Sequence, residues 1–68
     1  MKRYCVNTEA QANGDHEVHS EDCNRLPIPE NRLDLGVFSN CREAVNKAKL
    51  TYPKADGCFY CSKECHKR

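Results

Sequence analysis

The sequence predicts a small α+β fold closed by zinc, with a short two- or three-stranded antiparallel sheet, one main helix and a C-terminal C-x2-C knuckle. Three observations point there. The apolar content is thin: residues of the AVILMFWYC set make up 38% of 68 positions, six of them cysteines, with no Trp and one Met. Chains below roughly 70–80 residues rarely bury enough apolar surface to offset about 1.5 kcal/mol of ordering cost per residue, so they take disulfides, a metal or a partner as staples. Two pairs of metal-ligand residue types, His19-x3-Cys23 and Cys58-x2-Cys61, flank the middle of the chain. Between and before them, short extended segments precede a single stretch of helical periodicity.

The elements follow in order. "RYCVN", residues 3–7, reads as a strand with Tyr4 and Val6 on one face and Cys5 on the other. "ANGD", 12–15, holds an Asn-Gly turn signal, and "HEVHS", 16–20, reads as the returning strand of a hairpin. On it His16 and Val18 share one face and Glu17 and His19 the other. "LPIPENRLD", 26–34, carries two prolines and reads as irregular loop, and "LGVFS", 35–39, as a third short strand. Asn40 with Glu43 three residues later marks a helix start. Cys41, Ala44, Val45, Ala48 and Tyr52 form one helical stripe, which Pro53 ends. "KADG" reads as a turn into Cys58, and "SKECH" as a short last helix capped by Ser62. Nothing marks an interdomain linker, so residues 1–68 read as a single zinc-binding domain, expected to be monomeric.

The ligand set follows from spacing. A C-x2-C turn presents two thiolates to one tetrahedral ion, and a structural zinc site needs a second pair. His19 and Cys23 supply it, giving His19, Cys23, Cys58 and Cys61 with zinc as cofactor. Cys65, at i+4 from Cys61, is the alternative to His19, and His16 and His66 remain further alternatives. Cys5 and Cys41 read as buried free cysteines, small hydrophobes in effect. A redox C-x2-C would open a long helix in a βαβ setting, and only ten residues follow Cys58.

Composition excludes some classes. No run approaches the roughly 20 apolar residues of a membrane span, and the N-terminal "MKRYCVNTEAQ" lacks a signal-peptide apolar stretch. A cytoplasmic protein with reduced thiols is expected. Residues 1–41 hold four Lys/Arg against seven Asp/Glu, whereas 42–68 hold seven against three. The partner expected is a protein or a nucleic acid. For nucleic acid the favourable groups are Lys47, Lys49, Lys54, Lys63, Lys67 and Arg68, with Tyr52, Phe59 and Tyr60 interleaved. Phe59 and Tyr60 are expected to close over the knuckle as core.

"VHSEDCNRL" followed by "LGVFSNCREAVNKAKLTYPKADGCFYC" resembles the metal-binding domain of the Ada DNA-repair protein, over roughly residues 18–61. The shared pieces are the ligand-x3-Cys pair, a short strand with an aromatic residue, an alanine-rich helix and the C-x2-C pair. The whole chain also looks like a small family of bacterial proteins, a likeness that adds no activity. The Ada resemblance implies a small α+β zinc fold and, as the alternative function, a DNA-repair methyl acceptor or other zinc-thiolate or redox enzyme. In that family the first member of the x3 pair is the thiolate that takes a methyl group from a DNA phosphotriester. Here that position is His19, and "HEVHSEDC" around it has three acids and no Lys or Arg. The expected function is therefore a non-catalytic structural-zinc module that mediates interaction.

Overall fold

The computed structural model describes residues 1–67. It is a small α+β structure with a four-stranded mixed sheet and one α-helix. The strands are β1 (Lys2–Asn7), β2 (His16–Ser20), β3 (Arg32–Phe38) and β4 (Ala55–Gly57), and the helix α1 spans Cys41–Ala48. Sheet order is β3-β1-β2-β4.

β1 and β2 form the expected hairpin, with Val6 opposite Val18 and Cys5 opposite His19. The connecting loop turns at Gly14, whose φ of +89° suits glycine alone without strain. β3 starts earlier than expected, at Arg32, and pairs antiparallel with β1 from Lys2↔Phe38 to Asn7↔Arg32. The prolines confine irregular structure to the stretch before it, including a 3-10 turn at Pro29–Asn31. A bulge between Tyr4 and Cys5 is absorbed on β3 at Leu35 and Gly36, where Gly36 has φ +102°.

The expected sheet of two or three antiparallel strands is corrected by β4. "ADG" pairs parallel with β2, in register His16↔Ala55 to Val18↔Gly57. Three residues that include Asp and Gly carry almost no strand propensity, and the partner lies about forty residues back in the chain. Local pattern reading has nothing to detect there.

α1 begins as its sequence dictates. The Asn40 side chain accepts from the Glu43 N–H at 3.0 Å, while the Glu43 carboxylate receives the Ser39 N–H at 3.3 Å and hydroxyl at 3.0 Å. Its buried stripe of Cys41, Ala44, Val45 and Ala48 packs on Tyr4, Val6, Val18, Leu35 and Ala55. The helix proper ends at Ala48; a further turn, with Tyr52 N–H bonded to the Ala48 carbonyl at 2.8 Å, brings Tyr52 onto His16.

Cys41, expected to be a free buried cysteine, and Cys65, weighed as an alternative ligand to His19, are neither. Cys41, at the head of α1, and Cys65, in the 3-10 turn Lys63–Cys65, are joined as a disulfide with Cα atoms 6.3 Å apart. Cysteine type alone does not distinguish a buried thiol from half of a bridge; only the return of the C-terminus beside α1 does. No described helix is long and apolar enough to cross a membrane.

Candidate metal centre

The face of the sheet opposite α1 carries the second buried cluster. Alternation along β2 sends Val18 to the helix side and His19 to the other, yet both are buried because both faces are covered. β4 continues the same logic. The Cys58 N–H bonds the Val18 carbonyl at 2.9 Å, which extends the parallel ladder and sets Cys58 beside His19.

Each pair of candidate ligands is folded back by a turn. After β2 the Cys23 N–H bonds the Ser20 carbonyl at 3.1 Å, and after β4 the Ser62 N–H bonds the Cys58 carbonyl at 2.9 Å. The two turns share one device. Cys23 Sγ receives the N–H of Arg25, two residues on, at 3.3 Å; Cys58 Sγ receives the N–H of Tyr60, also two residues on, at 3.4 Å. Backbone donors aimed at sulfur favour the thiolate, the form that binds a metal.

His19, Cys23, Cys58 and Cys61 thereby meet, with one ligand atom from each lying within 4.8 Å of the others. His19 Nδ1 is 3.5 Å from Cys23 Sγ and 3.8 Å from Cys61 Sγ, and the Cys23 and Cys58 sulfurs are 3.9 Å apart. A tetrahedral ion with bonds of about 2.3 Å to sulfur and about 2.0 Å to nitrogen requires edges of about 3.8 Å between sulfurs and about 3.5 Å from nitrogen to sulfur. Those three edges match, and all four ligand atoms lie within 4.8 Å of one another, so the cluster could hold a metal ion. His19 and Cys58 are each only 1% exposed, and Cys61 is the most accessible of the four.

Without an ion, burial favours the neutral form of two of the three thiols. Burial pushes the Cys23 thiol up to about 12, helped by its hydrogen bond with Cys61, and burial raises Cys58 as well. At Cys61 burial is opposed and outweighed by hydrogen bonds from the Cys23 thiol, the Ser20 backbone and the Ser62 hydroxyl, which hold it below the ordinary thiol range. Burial lowers His19, which favours the neutral imidazole a metal requires. Its Nδ1 faces the sulfurs, and its Nε2 faces the Glu17 carboxylate at 3.7 Å, the side from which a carboxylate orients a ligating imidazole.

The alternative ligands are engaged elsewhere. His16 Nδ1 donates to the Asn7 carbonyl at 2.9 Å, and its ring stacks on Tyr52 at 3.9 Å. His66 Nδ1 donates to the Gly57 carbonyl at 3.0 Å, near the Asp56 carboxylate. Cys65 is bridged to Cys41, and Cys5 is a free, partly buried thiol outside the cluster. Phe59 and Tyr60, expected as core over the knuckle, instead stand 47% and 60% exposed. The turn needs their backbone and leaves their rings outside.

Fold and site together define a class: a small α+β protein with a buried group of one histidine and three cysteines that could hold a metal ion. Comparisons with protein-family models, with curated proteins and with solved structures returned no match. No relative therefore adds weight to the Ada likeness, and the function rests on the site itself.

Proposed function

We propose that this chain is a non-catalytic zinc module whose ion is held by His19 Nδ1 and the thiolates of Cys23, Cys58 and Cys61. The observation that carries the reading is the convergence of four ligand atoms, three of them on buried residues, within 4.8 Å of one another. Three thiolates and one imidazole are a donor set suited to zinc. Four protein ligands fill a tetrahedral ion, whereas catalytic zinc keeps a position open. The module's role is to present a surface to a protein or nucleic-acid partner, acting as a monomer; the Cys41–Cys65 bridge speaks against the reduced cytoplasmic thiols expected from the sequence.

The methyl-acceptor alternative needs a reactive thiolate that a phosphotriester can reach. Position 19 offers an imidazole 1% exposed, and Cys23 and Cys58 are buried. Native mass spectrometry tests both points. The expected mass is that of one zinc per chain, unchanged after incubation with DNA carrying methylated phosphotriesters. A chain that takes no zinc refutes the module, and a methyl group on Cys23, Cys58 or Cys61 restores the repair reading.

A further inference from the structure

We infer that the knuckle tip binds single-stranded nucleic acid, with unpaired bases stacking on Phe59 and Tyr60 and phosphates held by Arg25 and Lys63. This rests on the metal-closed reading of the site, because metal closure fixes the two turns that carry these residues.

Phe59 and Tyr60 are large exposed rings that the core does not use. Their centroids lie 5.3 Å apart with planes at 90°, and the His66 ring stands 5.5 Å from Phe59 at 81°. Each ring carries a cation. The Arg25 guanidinium carbon lies 4.1 Å from the Tyr60 centroid, and Lys63 Nζ lies 5.6 Å from that of Phe59. The first pairing has a structural cause: Arg25 and Tyr60 are the residues whose N–H groups feed Cys23 and Cys58, so joining the two turns joins their side chains.

Among the described residues neither Arg25 nor Lys63 has a carboxylate at ion-pair distance, whereas Lys2 is held by Asp22 and Arg3 by Asp34. Glu64 lines the cleft beside Tyr60 and Lys63, but one of its carboxylate oxygens lies 3.8 Å from Cys41 Sγ, on the helix side. Two adjacent rings flanked by two cations without carboxylate partners match the two halves of a nucleotide, a base that stacks and a phosphate that is negative. An arginine plane is itself a stacking surface for a base. An acidic peptide would satisfy the cations and leave the rings uncovered. A duplex keeps its bases stacked inside, and the tip offers no helix or ribbon to enter a groove.

Arg68 counts among the cations expected to help, and lies outside the described residues.

The test is fluorescence anisotropy of a short fluorescein-labelled oligothymidylate in low-salt buffer, with zinc content of each sample read by native mass spectrometry. The wild type should bind saturably, and more tightly than it binds the corresponding duplex. Tyr60→Ala and Phe59→Ala should each weaken binding by about tenfold, the loss of one stacked base. Tyr60→Phe, which keeps the ring, should stay within about twofold of wild type. Arg25→Gln and Lys63→Gln should each flatten the dependence of log affinity on log salt by about 0.7. Because these side chains are exposed, every variant should retain its zinc. A wild-type chain that takes no zinc sinks both readings. One that takes zinc and ignores the oligonucleotide, binds duplex equally, or binds an acidic peptide in its place overturns this inference alone. So does ring removal that leaves affinity unchanged.

Discussion

At the scale of single residues the candidate site divides cysteines that look alike in the sequence. Cys23 and Cys58 each accept a backbone N–H and face each other at 3.9 Å, and Cys61 faces His19 Nδ1 at 3.8 Å. Cys5, opposite His19 on β1, has only a half-buried thiol, pushed up chiefly by burial. Serine at 23, 58 or 61 should therefore abolish metal binding and folding together. Cys5→Ser should keep the metal and cost about 1–3 kcal/mol in a denaturant titration. Loss of metal from Cys5→Ser would show that the ligand set is drawn wrongly. His19 gives a pH expectation. Its pKa is lowered in the fold by burial, so the unfolded chain binds the proton more readily. The stability His19 contributes is present above its unfolded value of about 6.5 and lost as pH falls through its lower folded value. The melting temperature should drop on acidification through that window, and a rise there would contradict the assignment. The candidate ligand pairs could be picked out without a structure because metal-ligand spacing is a short-range pattern written in residue type, and the four residues do converge. The Cys41–Cys65 bridge could not, since helix periodicity explains Cys41 equally well as an ordinary apolar position.

At the scale of elements, legibility followed locality. The hairpin of β1 and β2 and the Asn40-capped helix announce themselves within a few residues, by alternation, Asn-Gly and the Asn40/Glu43 pair. β4 does not, because its hydrogen bonds go to a strand far back in the chain. Yet β4 fixes the site: it sets Cys58 against His19 and leads the chain into the second turn. Its last residue is constrained by contact rather than by φ. A Cβ on Gly57 would lie 2.7 Å from Cys65 Cβ and 2.7 Å from the Ser62 carbonyl oxygen, both inside van der Waals contact. Gly57→Ala should cost about 2 kcal/mol or more as an overpacking substitution. It should also slow closure of the Cys41–Cys65 bridge, read by trapping free thiols during oxidative refolding. A variant as stable as wild type would mean that the C-terminal turn is free to move away from β4. Asp56 works beside it, its carboxylate accepting the Lys67 N–H at 3.0 Å and so anchoring the chain past Cys65.

For the whole molecule, two clusters share one thin sheet, an apolar one under α1 and the His/Cys group on the other side. The apolar cluster is built largely of alanine, valine and cysteine, small side chains that each bury little surface. An ion joining residues 19, 23, 58 and 61 would tie β2 to β4 and close the long middle of the chain. The disulfide clamps only α1 to the C-terminal turn. Chelation should therefore collapse the dispersed amide spectrum even with the disulfide intact, and a chelated chain that keeps its native spectrum would show that the core suffices. The bridge and the ion also compete for the same six sulfurs. Stripped of metal and reduced, the chain has many wrong pairings open to an oxidant. Once an ion masks Cys23, Cys58 and Cys61, the only candidates left to pair are Cys5, Cys41 and Cys65, and Cys5 lies on the far side of the sheet. If the group holds a metal, the history of assembly is part of the product: metal before oxidant should lead to one species, while oxidant before metal should lead to a mixture of isomers that must reshuffle over seconds to hours before an ion can reach the four candidate ligands.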